Sequence, residues 1–249
     1  MIVCVPYFGD KDGAYRPLLT RWLYEYRLSG SPWPILILSD LDGPKIEQPT
    51  LRVNISGYAD VIRPGQPFDT KGAIVCRVLL EREGYDLLIV DADAFVQHDP
   101  APLLADAWGR PIAMPRDLGA VGFQCPILPR PFDHVCKRSA GVMWFGKDGS
   151  RSQIVAEYLR NWKRLLPLHQ RDGRVLGVSE PARLLEQHSW TLVAHDLNVP
   201  MLPDELNWHR HTAGPNPKAA IYHFCGSGKF LGHVQPATQA ISPRELVPA

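Results

Sequence analysis

Residues 87–90, Leu-Leu-Ile-Val, form an unbroken aliphatic run that stops abruptly at Asp91-Ala92-Asp93. A strand with one wet face alternates apolar and polar residues, so a run without alternation predicts a strand covered on both faces, as in parallel α/β sheets. Residues two apart on a strand point the same way, which sets the two carboxylates side by side. Their expected place is the carboxyl edge of a central strand, where open α/β sheets bind ligands. Like charges that close are unfavourable unless a proton or cation separates them, and a hard divalent ion such as Mn²⁺ or Mg²⁺ prefers oxygen ligands. Taken alone, the same string also fits two aspartates that open a loop and cap the helix after it.

The preceding chain supplies the neighbours such a strand needs. Residues 2–6 are a short apolar run, residues 15–28 carry Leu18, Leu19, Trp22, Leu23 and Tyr26 at helical spacing, and residues 34–38 are apolar again. That strand–helix–strand order opens an α/β fold. A short strand near residues 51–55 and a helix over 71–83 precede the central run, followed by helix-like 102–108 and strand-like 111–114. The second half is less regular, with a strand at 141–145, an amphipathic helix at 152–166, a short helix at 181–188 and a last strand at 221–224. Residues 236–249 have no periodicity and are expected to form an extended arm.

A chain of 249 residues is long enough for a full hydrophobic core. Its 27 basic and 26 acidic side chains give a net charge of +1, which excludes the broad basic footprint of a nucleic-acid binder. An anionic ligand would have to be held by a local constellation. The 24 prolines are scattered, which predicts many ordered irregular loops. Five dispersed cysteines without a CxxC pair read as buried free thiols in a reducing compartment. With no stretch of 18 apolar residues, the expectation is a soluble, cytoplasmic protein without a membrane span.

A second motif lies in Ile221-Tyr222-His223-Phe224-Cys225-Gly226-Ser227-Gly228-Lys229. A histidine at the end of an apolar strand offers an imidazole to a metal, glycines admit a close ligand, and a lysine supplies a point charge for phosphate. By itself the string is better read as a core histidine and a solvated lysine. Together, the two motifs resemble the GT-A glycosyltransferases, in particular the family-eight group that contains glycogenin and the bacterial lipopolysaccharide galactosyltransferases. That group pairs a strand-end Asp-x-Asp with a downstream His-x-x-Gly-x-x-Lys in this order. Ser139-Ala140-Gly141-Val142 resembles its Asn-Ala-Gly-Val, with serine in place of asparagine. Glu186-Gln187 resembles its Asp-Gln pair, and Leu202-Pro203 with Leu206-Asn207-Trp208 its Leu-Pro…Asn segment. The family's Pro-Trp after the lysine is replaced by Phe230-Leu231.

The resemblance spans residues 1–232 and implies one GT-A domain, a mixed, mostly parallel sheet flanked by helices. Within it, residues 1–115 would form the nucleotide-binding half and 116–235 the acceptor and metal half. It implies that Asp91, Asp93 and His223 hold Mn²⁺ or Mg²⁺, and that Lys229 with the Gly226 turn meets the donor diphosphate. Tyr7, Asp10 and Asp40 at the first strand ends, Lys71 and Arg77 on the helix before the Asp-x-Asp strand, and Ala92 would contact a UDP-sugar. Asp117, Glu186 and Gln187 would lie near the transferred sugar, with retention of configuration. Each of these also fits an ordinary turn, loop or helix-surface residue. The acceptor is expected to be a glycan or protein.

Three other chemistries use related features. A haloacid-dehalogenase phosphohydrolase places Asp-x-Asp on its first strand, whereas here two strand–helix units come before it. A nucleotidyltransferase wants a Gly-rich basic loop after the first strand, and residues 6–13 hold two glycines and one lysine. A non-catalytic nucleotide-sugar-binding module descended from a transferase accommodates the two motif departures.

Overall fold

The computed structural model describes residues 1–8, 15–41, 49–63, 67–118, 138–147, 149–171, 185–209 and 213–224, the side chains of 168–171 excepted. The strands in chain order are β1 (Ile2–Pro6), β2 (Ile35–Asp40), β3 (Thr50–Val53), β4 (Leu87–Val90), β5 (Ala94–Val96), β6 (Ile112–Pro115), β7 (Val142–Phe145), β8 (Met201–Leu202) and β9 (Ile221–His223). The helices are α1 (Arg16–Leu28), α2 (Pro67–Glu81), α3 (Arg151–Arg171) and α4 (Leu185–Asp196).

Seven strands form one sheet in the order β3-β2-β1-β4-β7-β6-β8, and β5 pairs with β9 in a separate two-stranded ribbon. β1, β2, β3 and β4 run parallel, as do β6 and β8, while β7 runs against both β4 and β6. This is the mixed, mostly parallel sheet that the sequence predicts. β7 inserts between β4 and β6, so both halves of the chain contribute to one sheet.

The central strands separate two cores. On one face Cys4, Leu38, Ile89 and Met143 pack with Ile74 and Leu79 of α2, Tyr158 and Trp162 of α3, and Trp190 of α4. On the other, Val3, Val5, Leu88, Val90 and Trp144 pack with Leu19 and Trp22 of α1 and with Phe95 and Ile221 of the ribbon. All four residues of β4 are fully buried, which is why that strand carries no polar alternation. Cys4 and Cys76 are buried free thiols as expected; the other three cysteines lie outside the described residues.

A buried arginine locks the helices to the sheet. Arg151, at the start of α3, donates to the carbonyl oxygens of Leu79, Arg82, Tyr85, Phe145 and Gly146. Two of these, Leu79 and Arg82, close the carboxyl end of α2, where carbonyls lack partners within the helix.

Four elements differ most from the expected boundaries. α2 begins at Pro67, four residues earlier than residue 71, because proline's fixed φ and missing N–H suit a first helical turn. α3 continues through Pro167, whose side chain faces solvent. α4 extends to Asp196, and residues 101–107 form a 3₁₀ helix. The arm expected at 236–249 lies outside the described residues. No helix among the described residues is long and apolar enough to cross a membrane.

Candidate metal centre

The chain leaves β4 under backbone control. The amide of Asp91 donates to the Gly141 carbonyl at 2.8 Å, and the amide of Ala94 donates back to the Asp91 carbonyl at 2.9 Å. Asp93 is thereby turned into β5, whose first residue, Ala94, lies in register with His223 on β9. The amide of Phe224 donates to the Asp93 carbonyl at 2.9 Å, and Trp22 Nε1 on α1 anchors the ribbon through the Ala94 carbonyl at 2.7 Å. Hydrogen bonds of the ribbon therefore bring a histidine from late in the chain onto the Asp-x-Asp turn.

Asp93 Oδ1 lies 3.4 Å from His223 Nε2, and one ligand atom each from Asp91, Asp93 and His223 lie within 4.8 Å of one another. Ligand atoms on an octahedral Mg²⁺-sized ion are about 3 Å apart side by side and about 4.2 Å apart across the ion. The observed span exceeds the larger figure by about half an ångström, a shift that side-chain rotation supplies. Two carboxylates and one imidazole suit Mn²⁺ or Mg²⁺ in donor chemistry. The backbone is shaped for the ring as well. A Cβ added to Gly141 would overlap Cε1 of His223 and lie 2.9 Å from its Nδ1, so only glycine lets the imidazole occupy this place.

Lys71 meets the same turn from α2. Its Nζ is 2.8 Å from Asp91 Oδ1, donates to the Ala140 carbonyl at 2.8 Å, and lies 3.6 Å from Glu186 Oε1 on α4. Burial works against the Lys71 charge, but Asp91 and Glu186 outweigh it and hold its pKa above the ordinary value. Burial pushes the Asp91 carboxyl up, a rise that Lys71 opposes and Asp93 reinforces. Glu186 is pushed up to about 7 by burial, again against Lys71 and with Asp91. Beside it, Gln187 Oε1 accepts from the Ala140 amide at 2.8 Å while Nε2 donates to the Arg138 carbonyl. Ser139 Oγ accepts from the Gly141 amide at 3.1 Å.

Behind His223 lies a polar relay. His223 Nδ1 is 2.9 Å from Asn207 Oδ1, and Asn207 Nδ2 donates to the Arg116 carbonyl at 3.1 Å and faces His209 Nε2 at 3.2 Å. His209 stacks edge-on against His223 and lies 3.9 Å from Asp117 Oδ1, a separation too long for a hydrogen bond. Asn207 and His209 alternate with Trp208, which bridges to Tyr222 of β9 and so turns both toward His223.

The structure thus gathers Asp91, Asp93, His223, Lys71 and Glu186, with Gln187 fastened beside them and Asp117 one relay away. Tyr7 and Asp40 close β1 and β2 at the same carboxyl edge; Tyr7 is buried and Asp40 half-buried. Ala92, between the two aspartates, packs against the ribbon-side core. Arg77 lies outside this cluster, its Nε bonded to Glu81 Oε1 at 2.6 Å. Six residues along a helix turn through about 600°, so Arg77 and Lys71 point to different faces of α2. Asp10, Gly226 and Lys229 lie outside the described residues. In the sequence His209 carries no motif and Asn207 stands only within the Leu206-Asn207-Trp208 string; the alternation of Asn207 and His209 around Trp208 is the signal that points to them.

No family model and no curated protein sequence matches the chain. Solved structures do. The galactosyltransferase LgtC, crystallised with donor and acceptor sugar analogs, superposes with a TM-score of 0.57 at 15% identity, over 91% of this chain and 87% of that one. The bifunctional glycosyltransferase WbbM gives 0.59 at 13% identity, over 91% of this chain and 46% of that one. Mouse xyloside xylosyltransferase 1 gives 0.54 at 10% identity, over 90% and 97%. At these identities the likeness is one of fold, and the GT-A fold expected from the sequence is the one observed.

Proposed function

We propose that this protein is a metal-dependent glycosyltransferase that moves a sugar from a nucleoside-diphosphate donor, a UDP-sugar, to a glycan or protein acceptor with retention. The observation that carries this is the meeting of Asp91, Asp93 and His223 within one ion's reach at the carboxyl edge of this sheet. Supporting it, the fold is shared with three glycosyltransferases, one of them crystallised with donor and acceptor sugar analogs.

In this proposal Asp91, Asp93 and His223 hold Mn²⁺ or Mg²⁺, which supplies positive charge beside the departing diphosphate. The chain does the rest. Tyr7, Asp10 and Asp40 line the nucleotide side from the ends of the first strands, in the half formed by residues 1–115. Gly226 and Lys229 meet the diphosphate, the lysine as a point charge. Lys71 holds Asp91 in place and keeps part of the local negative charge compensated before the donor arrives. Glu186 and Gln187 flank the sugar, with the Gln187 amide fixed by the backbone at residues 138–140. Asp117 approaches from the end of β6.

The test is a panel of UDP-, GDP- and CDP-sugars assayed for nucleotide release with Mn²⁺ and with chelator. UDP-sugars are expected to turn over only with the metal, and Asp93→Ala is expected to abolish turnover while circular dichroism stays unchanged. Undiminished turnover by that variant, or turnover of GDP- or CDP-sugars alone, defeats the proposal.

A further inference from the structure

We propose that Asn207 is the positioning residue of the candidate metal centre, fixing the proton of His223 on Nδ1 so that Nε2 faces Asp93 and Asp91 as a lone-pair donor. This inference rests on the metal reading above for its purpose and on hydrogen-bond geometry for its content.

The chain of constraint starts at a group that cannot change role. The Arg116 carbonyl only accepts, and it lies 3.1 Å from Asn207 Nδ2. An amide turned the other way would set two acceptors against each other there. The Asn207 nitrogen is therefore on the Arg116 side, and its second N–H points at His209 Nε2, 3.2 Å away. Both donors of the amide are then used, and only Oδ1 remains for His223 Nδ1 at 2.9 Å. An oxygen acceptor requires a proton on Nδ1. In the neutral ring the other nitrogen then carries the lone pair.

His209 completes the lock. It accepts from Asn207 through Nε2, which puts its own proton on Nδ1, and its ring stands edge-on to His223 with centroids 4.9 Å apart. Asn207 is fully buried and His209 nearly so, which leaves water little scope to replace these partners. A backbone carbonyl at the end of β6 thus dictates which nitrogen of a β9 histidine is free. Outer partners of this kind contribute about 10–100-fold to metal affinity.

Two measurements test the assignment. In the metal-free protein at alkaline pH, nitrogen NMR of His223 is expected to show the Nδ1–H tautomer, and Asn207→Ala to populate both tautomers. Mn²⁺ titration by calorimetry is expected to show Asn207→Ala binding about 10–100-fold more weakly than wild type. Asp93→Ala is expected to bind no Mn²⁺. An Nε2–H tautomer in the wild type overturns the proposal, and so does a folded Asn207→Ala that binds Mn²⁺ as tightly as wild type. If the wild type carries Nδ1–H but binds no Mn²⁺, the orienting role of Asn207 stands and the metal-dependent function falls.

Discussion

Lys71 Nζ touches both oxygens of Asp91, at 2.8 and 3.0 Å, so one of the two carboxylates at the candidate centre already has a cation supplied by the chain. Asp91 and Glu186 flank this single ammonium group, and with Asp93 nearby the cluster keeps surplus negative charge. Each carboxylate oxygen has a second lone pair, so Lys71 organises Asp91 without exhausting it.

Replacing Lys71 with Met is therefore expected to leave the buried Glu186 and the half-buried Asp91 without their cation. Removing one member of a buried ion pair costs about 3–5 kcal/mol. Mn²⁺ should restore part of this, because it offsets the same charge. Thermal melting with chelator and with Mn²⁺ checks both points; an equal loss of stability in the two conditions would speak against shared charge compensation.

Gly141→Ala is expected to push the His223 ring out of place, since the new methyl overlaps Cε1. Overpacking of this kind costs about 1–3 kcal/mol. The variant should lose Mn²⁺ binding more completely than it loses stability, because β7 can shift while the ion's geometry cannot. Calorimetric titration beside urea unfolding measures the two effects. Unchanged Mn²⁺ affinity would mean that the ring has another place to go.

The buried Glu186 carboxyl makes stability depend on pH. Its pKa is about 7 in the folded protein, raised by burial, against 4.5 for an ordinary glutamate. Between those values the folded state holds the extra proton, so the contribution of this group is complete below pH 4.5 and is lost as pH rises through 7. The loss is on the order of a few kcal/mol. Glu186→Gln should flatten that slope. Urea unfolding of the chelated protein at pH 5 and pH 8 compares the two, and parallel slopes would refute the assignment.

Arg151→Met should destabilise the fold without touching the centre. Five carbonyl oxygens lose the guanidinium, although that of Arg82 keeps the Tyr85 amide, and buried acceptors left without partners cost about 1–3 kcal/mol each where water cannot reach them. A fall in the melting temperature with unchanged Mn²⁺ affinity in the folded protein is the expected pair of results. A variant as stable as wild type would show that water replaces the guanidinium.

Legibility in the sequence followed how local the cause was. The run at residues 87–90 is buried on both faces by α2 and by the ribbon, and its patterning announced this directly. Asp91 and Asp93 followed from the same run. β5 escaped notice because three residues, Ala94–Val96, carry no period of their own; they become a strand through pairing with β9. α4 was expected to be short because its residues 185–194, apart from Gln187, are all buried, which erases the amphipathic stripe that marks a surface helix. Lys71 was recognised as a site residue, but its contact with Asp91 depends on how α2 lies across β4. Nothing local to Asn207 announces its bond to the Arg116 carbonyl.

The β5–β9 ribbon also sets an order of events in synthesis. A ribosome delivers the two aspartates long before the histidine, and β4 can join β1 while β9 is still unmade. Until that last strand emerges, the acidic turn lacks its third ligand, and an emerging chain offers only a partial cradle to any ion it meets.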